Sequence, residues 1–392
     1  MRDLEFTRRQ LLERAALGGA ALTLPGFLAA CGGSSKKAAS SSHKLAKTLR
    51  FSNWTLYMDT NNKTHMHPTL ESFSKKYGVH VQYTEDINDN ASFFGKIQGP
   101  LSRGQSIDRD IIVMTDNSRY PSLLIKKGWV EKLDKSALPN IKNLQPALSH
   151  PAWDPHRDYT LPWQSGMTGI AFNDKLTDPV LSIDELFGNR KLKGKVTCLN
   201  EMADALSLVM VSNGDDPSKV TNASFNRAIT KIKKAVDSGQ IRQFTGNDYA
   251  APLAKGDLAA AMSWSGDIAQ LLSENSHLHW NLPADGGDIW TDNMLIPKGG
   301  NAYTASVYMN YVYDPKIAAQ IEGGDPKTGD TGVYYICPVV GAREALLKTN
   351  AAIAKNTLIF PTKKMLDNVH VIDPNALNNE KYLTTWQNLI SA

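Results

Sequence analysis

The sequence predicts an α/β protein of two lobes joined by a hinge, each lobe a mixed, mainly parallel sheet flanked by helices. Three observations lead there. From residue 48 onward, short apolar runs alternate with amphipathic segments in a β-α-β-α-β-α rhythm. The chain has 392 residues, and the roughly 360 left after an N-terminal segment exceed one typical core and suit two. Finally, the extended, glycine-interrupted run DYTLPWQSGMTGIAFN (158–173) fits a crossing into a second lobe, and GGDIWTDNMLIPKGG (286–300) fits the crossing back.

Each element has its own signal. TLRFSNW (48–54) reads as a strand, and HPTLESFSKKYG (67–78) as a helix ending at Gly78 with Leu70, Phe73 and Tyr77 on one face. VHVQYT (79–84) alternates as a strand, ASFFGKIQGPL (91–101) is helical, RDIIVMT (109–115) is a buried strand and YPSLLIKKGW (120–129) another helix. Beyond the crossing come a strand at 195–200, a helix at 201–214 and a long helix near 224–238. These bounds assign 48–162 with 293–340 to one lobe, 163–292 to the other, and 341–392 to a C-terminal helical segment packing back on the second lobe. There is no internal repeat.

Composition excludes more than it selects. With 42% hydrophobic and 21% charged residues the chain is ordinarily globular, and its net charge of +4 is spread along the sequence. Lys231, Lys233 and Lys234 read as the solvated face of a helix. No basic stripe with interleaved aromatics marks a nucleic-acid binder. The N-terminus is more specific. TRRQLLERAALGGAALTLPGFLAAC pairs Arg8 with Arg9, continues in a short glycine-broken apolar run, and ends in Leu28-Ala29-Ala30-Cys31. The pattern fits an export signal over 1–30 of twin-arginine type, with a lipobox whose Cys31 carries lipid after cleavage; an uncleaved anchor helix is the alternative. The polar, low-complexity residues 31–47 form a flexible tether, reaching roughly 20–25 Å. The mature protein is thus expected at the outer face of a bacterial cytoplasmic membrane. Cys198 and Cys337 are expected as two isolated buried thiols, although export would permit a disulfide.

Several chemistries are missing. There is no GxSxG, Walker A loop, GxGxxG after a strand, or HExxH. DINDN (86–90) has the first three ligand spacings of a calcium loop, but Ala91 replaces the turn glycine and Ile97 the bidentate Glu. The pairs His65/His67 and His277/His279 lack further ligands nearby. No metal, cofactor or catalytic nucleophile is expected.

What recurs is an aromatic beside an acid or a polar group at the ends of elements. Trp54, Thr55 and Tyr57 follow the first strand, Thr115 and Asp116 end another, and Glu201 with Asp204 share the first turn of a helix. Trp264 with Asp267, and Trp290 with Asp292, complete the set. Each has an ordinary alternative: indoles as core, acids as caps or dipole partners. Asp292 is the hardest to explain that way, because its segment is apolar on both sides and no Lys or Arg lies close in sequence. In open α/β sheets ligands sit beyond the carboxyl ends of strands, where these groups cluster. Rings that cover methylenes and attract a cation, with carboxylates that accept charged N–H groups, make a receptor for an alkylammonium. A sugar site would carry fewer carboxylates and more Asn, Gln and Arg.

On the strength of FSNWTLY, VQYTEDINDN, DIIVMTDNS, KGWVEKLDKSALPN, YTLPWQSGMTGIAFN, LAKGDLAAAMSWSGD and IWTDNMLIP, the chain resembles the spermidine/putrescine-binding proteins that feed ABC importers, from about residue 48 to 345. That resemblance implies a two-lobed type II periplasmic-binding-protein fold, a polyamine ligand, permease subunits as partners and a monomer. It implies an amine site lined at Trp54, Tyr57, Trp264, Trp290 and Asp292, with acids at Glu201, Asp204 and Asp267 also contacting amines. Tyr335, in VYYICP, matches an aromatic that closes the pocket. The family usually has an acid between the Thr or Ser and the Tyr of the first motif; here that position is Leu56, and Asp116 is the candidate substitute. Rival readings are the same scaffold binding a sugar, an amino-acid derivative or a quaternary amine, or an extracytoplasmic enzyme or sensor.

Overall fold

The structure, a computed structural model, describes residues 43–272 and 275–391. The expected export signal, Cys31 and the first part of the tether lie outside the described residues. Among the described residues, no helix is long and apolar enough to cross a membrane.

The first elements follow the expected order: β1 (Thr48–Trp54), α1 (Pro68–Tyr77), β2 (His80–Ile87), α2 (Asn90–Ser102), β3 (Ile111–Thr115) and α3 (Tyr120–Lys126). Helix α1 starts on a proline and stops at Gly78, which takes the left-handed conformation (φ 67°) that glycine accepts without a Cβ penalty. In α2 the Asp89 side chain accepts from the Ser92 amide at 2.7 Å, a side-chain N-cap. Then β4 (Thr160–Asn173) runs for 14 residues, every one of them buried. At about 3.3 Å per residue it spans about 45 Å. The second set comprises β5 (Val196–Leu199), α4 (Met202–Ser212), α5 (Asn222–Asp237), β6 (Ile241–Thr245), β7 (Ala260–Trp264), α6 (Ser265–Leu271) and β8 (Leu278–Asn281). The chain returns through β9 (Gly287–Leu295) and continues into α7 (Ala302–Val312) and α8 (Pro315–Gly323).

The path through the 10-stranded sheet is β2-β1-β3-β9-β4-β7-β5-β6. At one end β1 pairs in parallel with β2 and β3, and at the other β5 pairs in parallel with β6 and β7. Between these parallel halves lie β9 and β4, antiparallel to each other and to β3 and β7 respectively. This is the mixed, two-lobed α/β architecture expected, with β4 and β9 as the shared centre. Their register shifts between Asp292 and Asn293, an irregularity that re-aims the strand where it leaves one half for the other.

The residues after 341 divide. Helix α9 (Ala342–Thr349) packs on α8, where a Cβ on Gly323 would lie 2.4 Å from the Leu346 side chain. The last helix, α10 (Glu380–Ile390), stacks Tyr382 on Phe225 of α5 at 3.9 Å and ties Trp386 to the Asn200 carbonyl. Between them Val369–His370 adds a short parallel strand, β10, to β9.

The crossing strand tolerates no added volume at Gly169, where a Cβ would meet the Asn281 carbonyl at 2.5 Å and the Trp280 ring at 2.6 Å. Gly169→Ala is expected to cost about 1–3 kcal/mol and lower the melting temperature by several degrees. Gly95→Ala in α2, with nothing within 4 Å, should leave it unchanged or slightly raised. Circular-dichroism melts of both variants check this.

Candidate functional site

The site is assembled at strand ends. After Trp54 closes β1, the chain turns through Leu56, which has a positive φ of 60° despite its side chain. Asn53 fixes that turn, accepting from the Trp54 amide at 3.0 Å and donating to the Tyr57 carbonyl at 3.2 Å. The turn carries Tyr57 back over the sheet, where its hydroxyl donates to Asp292 Oδ2 at 2.5 Å. Holding a leucine there costs about 1–3 kcal/mol. Thr115 ends β3, Trp264 ends β7, and Glu201 with Asp204 opens α4 directly after β5. On β9, Trp290 and Asp292 alternate onto one face.

These residues line one pocket: Trp54, Thr55, Tyr57, Asn90, Thr115, Asn117, Glu201, Asp204, Asn247, Trp264, Trp290, Asp292 and Tyr335. Five rings form a continuous wall. Trp54 meets Trp264 edge-to-face at 5.9 Å, Trp264 meets Trp290 at 6.2 Å, Trp290 meets Tyr335 at 5.8 Å and Tyr335 meets Tyr57 at 4.8 Å. Two glycines let the rings lie so close. A Cβ on Gly166 would sit 2.5 Å from the Trp290 ring, and one on Gly266 would sit 2.3 Å from the Tyr335 ring.

Among the described residues, three carboxylates line the cavity and no Lys, Arg or His does. Asp204 is the best provided: Oδ1 accepts from the Thr168 hydroxyl and from Trp264 Nε1 (2.9 Å), and Oδ2 from Asn117 Nδ2 (3.1 Å). Glu201 Oε1 accepts from the Asn90 amide (2.6 Å) and Asn90 Nδ2 (2.9 Å), joining the two halves of the sheet. Asp292 is 3% exposed; Tyr57 holds one oxygen and the other, buried, has no hydrogen-bond partner. Burial pushes Asp292 up to about 7 against the help of the Tyr57 and Thr115 hydroxyls. Burial, reinforced by the charge of Asp89, pushes Glu201 up to about 8. Asp204 is raised by burial too. Such a site favours a guest that brings positive charge.

Ten predicted residues thus meet in the cavity: Trp54, Thr55, Tyr57, Thr115, Glu201, Asp204, Trp264, Trp290, Asp292 and Tyr335. Two do not line it. Asp116 turns to β9, where its Oδ1 accepts from the Thr291 amide at 2.8 Å. Asp267 stands behind the ring wall, its carboxylate accepting from Tyr335 (2.6 Å), Tyr249 (2.7 Å) and Asn247 (2.9 Å), so that it orients Tyr335. Leu56 is not a lining residue either; it is 37% exposed at the rim, and its carbonyl accepts from Gln270 Nε2 at 2.8 Å. Asn90, Asn117 and Asn247 escape the sequence reading. Asn90 lay in the discounted calcium-like run, from which Asp86 instead pairs with Arg109 at 3.0 Å. Asp288, which shares an amide of Asn117 with Asp204, was legible by the same two-residue alternation that links Trp290 to Asp292. His277 and His279 grip opposite oxygens of Asp174 at 2.8 and 2.7 Å on the surface. Cys198 and Cys337 are both buried and unpaired.

A two-lobed α/β scaffold whose halves meet over an acid- and ring-lined cavity is that of a solute-binding protein. The chain belongs to the bacterial extracellular solute-binding protein family, whose profile matches residues 69–323. It is 24% identical over 324 residues to the spermidine/putrescine-binding periplasmic protein of Escherichia coli, covering 82% of this chain and 85% of that one. It is 26% identical over 371 residues to the putrescine-binding periplasmic protein SpuD of Pseudomonas aeruginosa, covering 88% and 92%. In fold it resembles the spermidine/putrescine substrate-binding protein PotD of Streptococcus pneumoniae (TM-score 0.67, 20% identity, 88% and 98% covered). It also resembles the TpPotD lipoprotein of Treponema pallidum (TM-score 0.69, 20% identity, 88% and 100% covered). The family is one of binders rather than enzymes.

The raised carboxyls set a direction for stability. Between about pH 4, where the unfolded chain has released these protons, and pH 7–8, where Asp292 and Glu201 release theirs, the folded protein binds more protons, so its stability falls as pH rises. Denaturant unfolding of ligand-free protein at pH 5 and pH 8 should show this fall, and Asp292→Asn should reduce it.

Proposed function

We propose that this chain is an extracytoplasmic substrate-binding lipoprotein that captures a polyamine, putrescine or spermidine, and delivers it to an ABC permease. The observation that carries the reading is Asp292: a buried carboxylate with one oxygen unpartnered, in a cavity with two further acids, five rings and no lining cation. An ammonium group supplies what that oxygen lacks, and the ring wall suits the methylenes between two such groups. A ligand bearing its own carboxylate, such as an amino-acid derivative, would meet no lining cation. The names of the relatives from Escherichia coli and Pseudomonas aeruginosa support the same ligand class. In this reading Trp54, Thr55, Tyr57, Thr115, Glu201, Asp204, Trp264, Trp290, Asp292 and Tyr335 contact the amine, and Asp267 acts through Tyr335. Lipid on Cys31 holds a monomer at the membrane by the 31–47 tether. The lobes, 48–162 with 293–340 and 163–292, close about β4 and β9.

Contacts across the rim support closure about these strands. Gln270 ties Leu56 to Val333, donating to both carbonyls, and Asn88 Nδ2 reaches Asp248 at 3.5 Å. Beside that contact, a Cβ on Gly246 would lie 2.2 Å from the Asn88 carbonyl.

Isothermal calorimetry with putrescine and spermidine tests the function. Asp292→Asn should weaken binding by about 10- to 150-fold, the worth of a charge-assisted hydrogen bond; stabilisation by sugars alone, or turnover of a bound compound, would overturn the reading. Gly246→Ala is expected to weaken the same amine at least tenfold while leaving the ligand-free melting temperature unchanged, because the added methyl obstructs only the closed rim.

A further inference from the structure

Beneath the cavity lies an acid that neither the sequence reading nor the lining includes. Asp288 is fully buried and shares the β9 face of Trp290 and Asp292. Its Oδ2 accepts from Asn117 Nδ2 at 3.0 Å, and the same nitrogen donates to Asp204 Oδ2 at 3.1 Å. One nitrogen bridging both oxygens keeps the two carboxyl groups within about 6 Å of each other. The other Asp288 oxygen is buried and makes no well-formed hydrogen bond, with the Ser207 hydroxyl as the donor beside it. Around it stand Asn117 and Asp116 from the loop after β3, Asp204 and Ser207 from α4, and His370 opposite it on β10. His370 presents Nε2 to Gly286, 2.9 Å from where a Cβ would be. Two carboxylates so close and so dry cannot both be charged cheaply.

We infer that Asp288 is a positioning residue acting through Asp204: the pair holds one proton beneath the cavity, and a ligand ammonium arriving against Asp204 expels that proton to solvent. The inference rests on the amine-binding reading. The three donors on Asp204 favour its ionised form, so the proton resides on Asp288, whose carboxyl is pushed up by burial and then by the charge of Asp204. The amine enters fully protonated and keeps its protons; the one that leaves comes from the acid pair. A fully protonated putrescine brings two positive charges and the acid pair gives up one, so the buried charge rises by one rather than by two. Asp288 thereby adds an acid to the site, placed where it stays neutral until a cation calls for it.

The test is calorimetric titration of the purified protein with putrescine between pH 6 and 8, in phosphate and in Tris. Their different protonation enthalpies turn proton release into a measured number. Wild type is expected to release protons and to lose affinity on acidification. Asp288→Asn should release about one proton fewer and lose about tenfold less affinity per pH unit. Asp288→Ser should do the same if the amide disturbs packing, with melting curves confirming that each variant is folded. Equal proton release and parallel pH profiles in wild type and variants would overturn the inference while leaving the amine reading intact. Loss of folding in both variants would also overturn it, making Asp288 a structural residue. No binding of putrescine or spermidine by wild type would overturn the amine reading itself, and this inference with it.

Discussion

Buried acids without a basic partner govern this molecule. Asp204, Asp288 and Asp292 are each at most 3% exposed, and Glu201 is 8% exposed. Proteins ordinarily settle such groups with a lysine or arginine, or do without them. Here they are settled by neutral donors: Tyr57, Asn90, Asn117, Thr168 and Trp264. Neutral donors hold a carboxylate in place without cancelling its charge. The acids therefore keep a capacity for negative charge that an arriving cation can draw out, which is the property a receptor for small cations needs.

The same charge explains why the surroundings are aromatic. Indole and phenol rings exclude water and offer a polarised face, so they complement a cation without competing for it as a lysine would. The phenols and indoles also spend their one donor inward: Tyr57 on Asp292, Tyr335 on Asp267, Trp264 on Asp204 and Trp290 on Thr168. The ring wall and the acid set are thus one hydrogen-bonded unit. Gly166 and Gly266 belong to it because any side chain there would push a ring away.

Much of this was legible in the sequence, for definable reasons. The parallel halves showed themselves through period and punctuation, as at Gly78 ending α1, and both crossing strands showed themselves as extended runs in an otherwise alternating chain. The aromatic-and-acid set was legible because those residue types are costly at strand ends unless they have work there. What could not be read was partnership across distance. Nothing local says that Asn90 reaches Glu201, 111 positions away, or that Asp267 spends all its capacity on Tyr249, Tyr335 and Asn247. Asparagine is also too common in loops to announce itself. Asp288 is different, since the alternation that linked Trp290 with Asp292 already included it.

The register shift beside Asp292 has a mechanical meaning. Strands β4 and β9 are the continuous backbone between the two halves of the sheet, so relative rotation of those halves bends these two strands. Asp292 sits at the irregularity where β9 passes from one set of neighbours to the other. A residue near a pivot travels least. Asp292, the proposed anchor for the guest's charge, would accordingly move little if the two halves rotate about these strands.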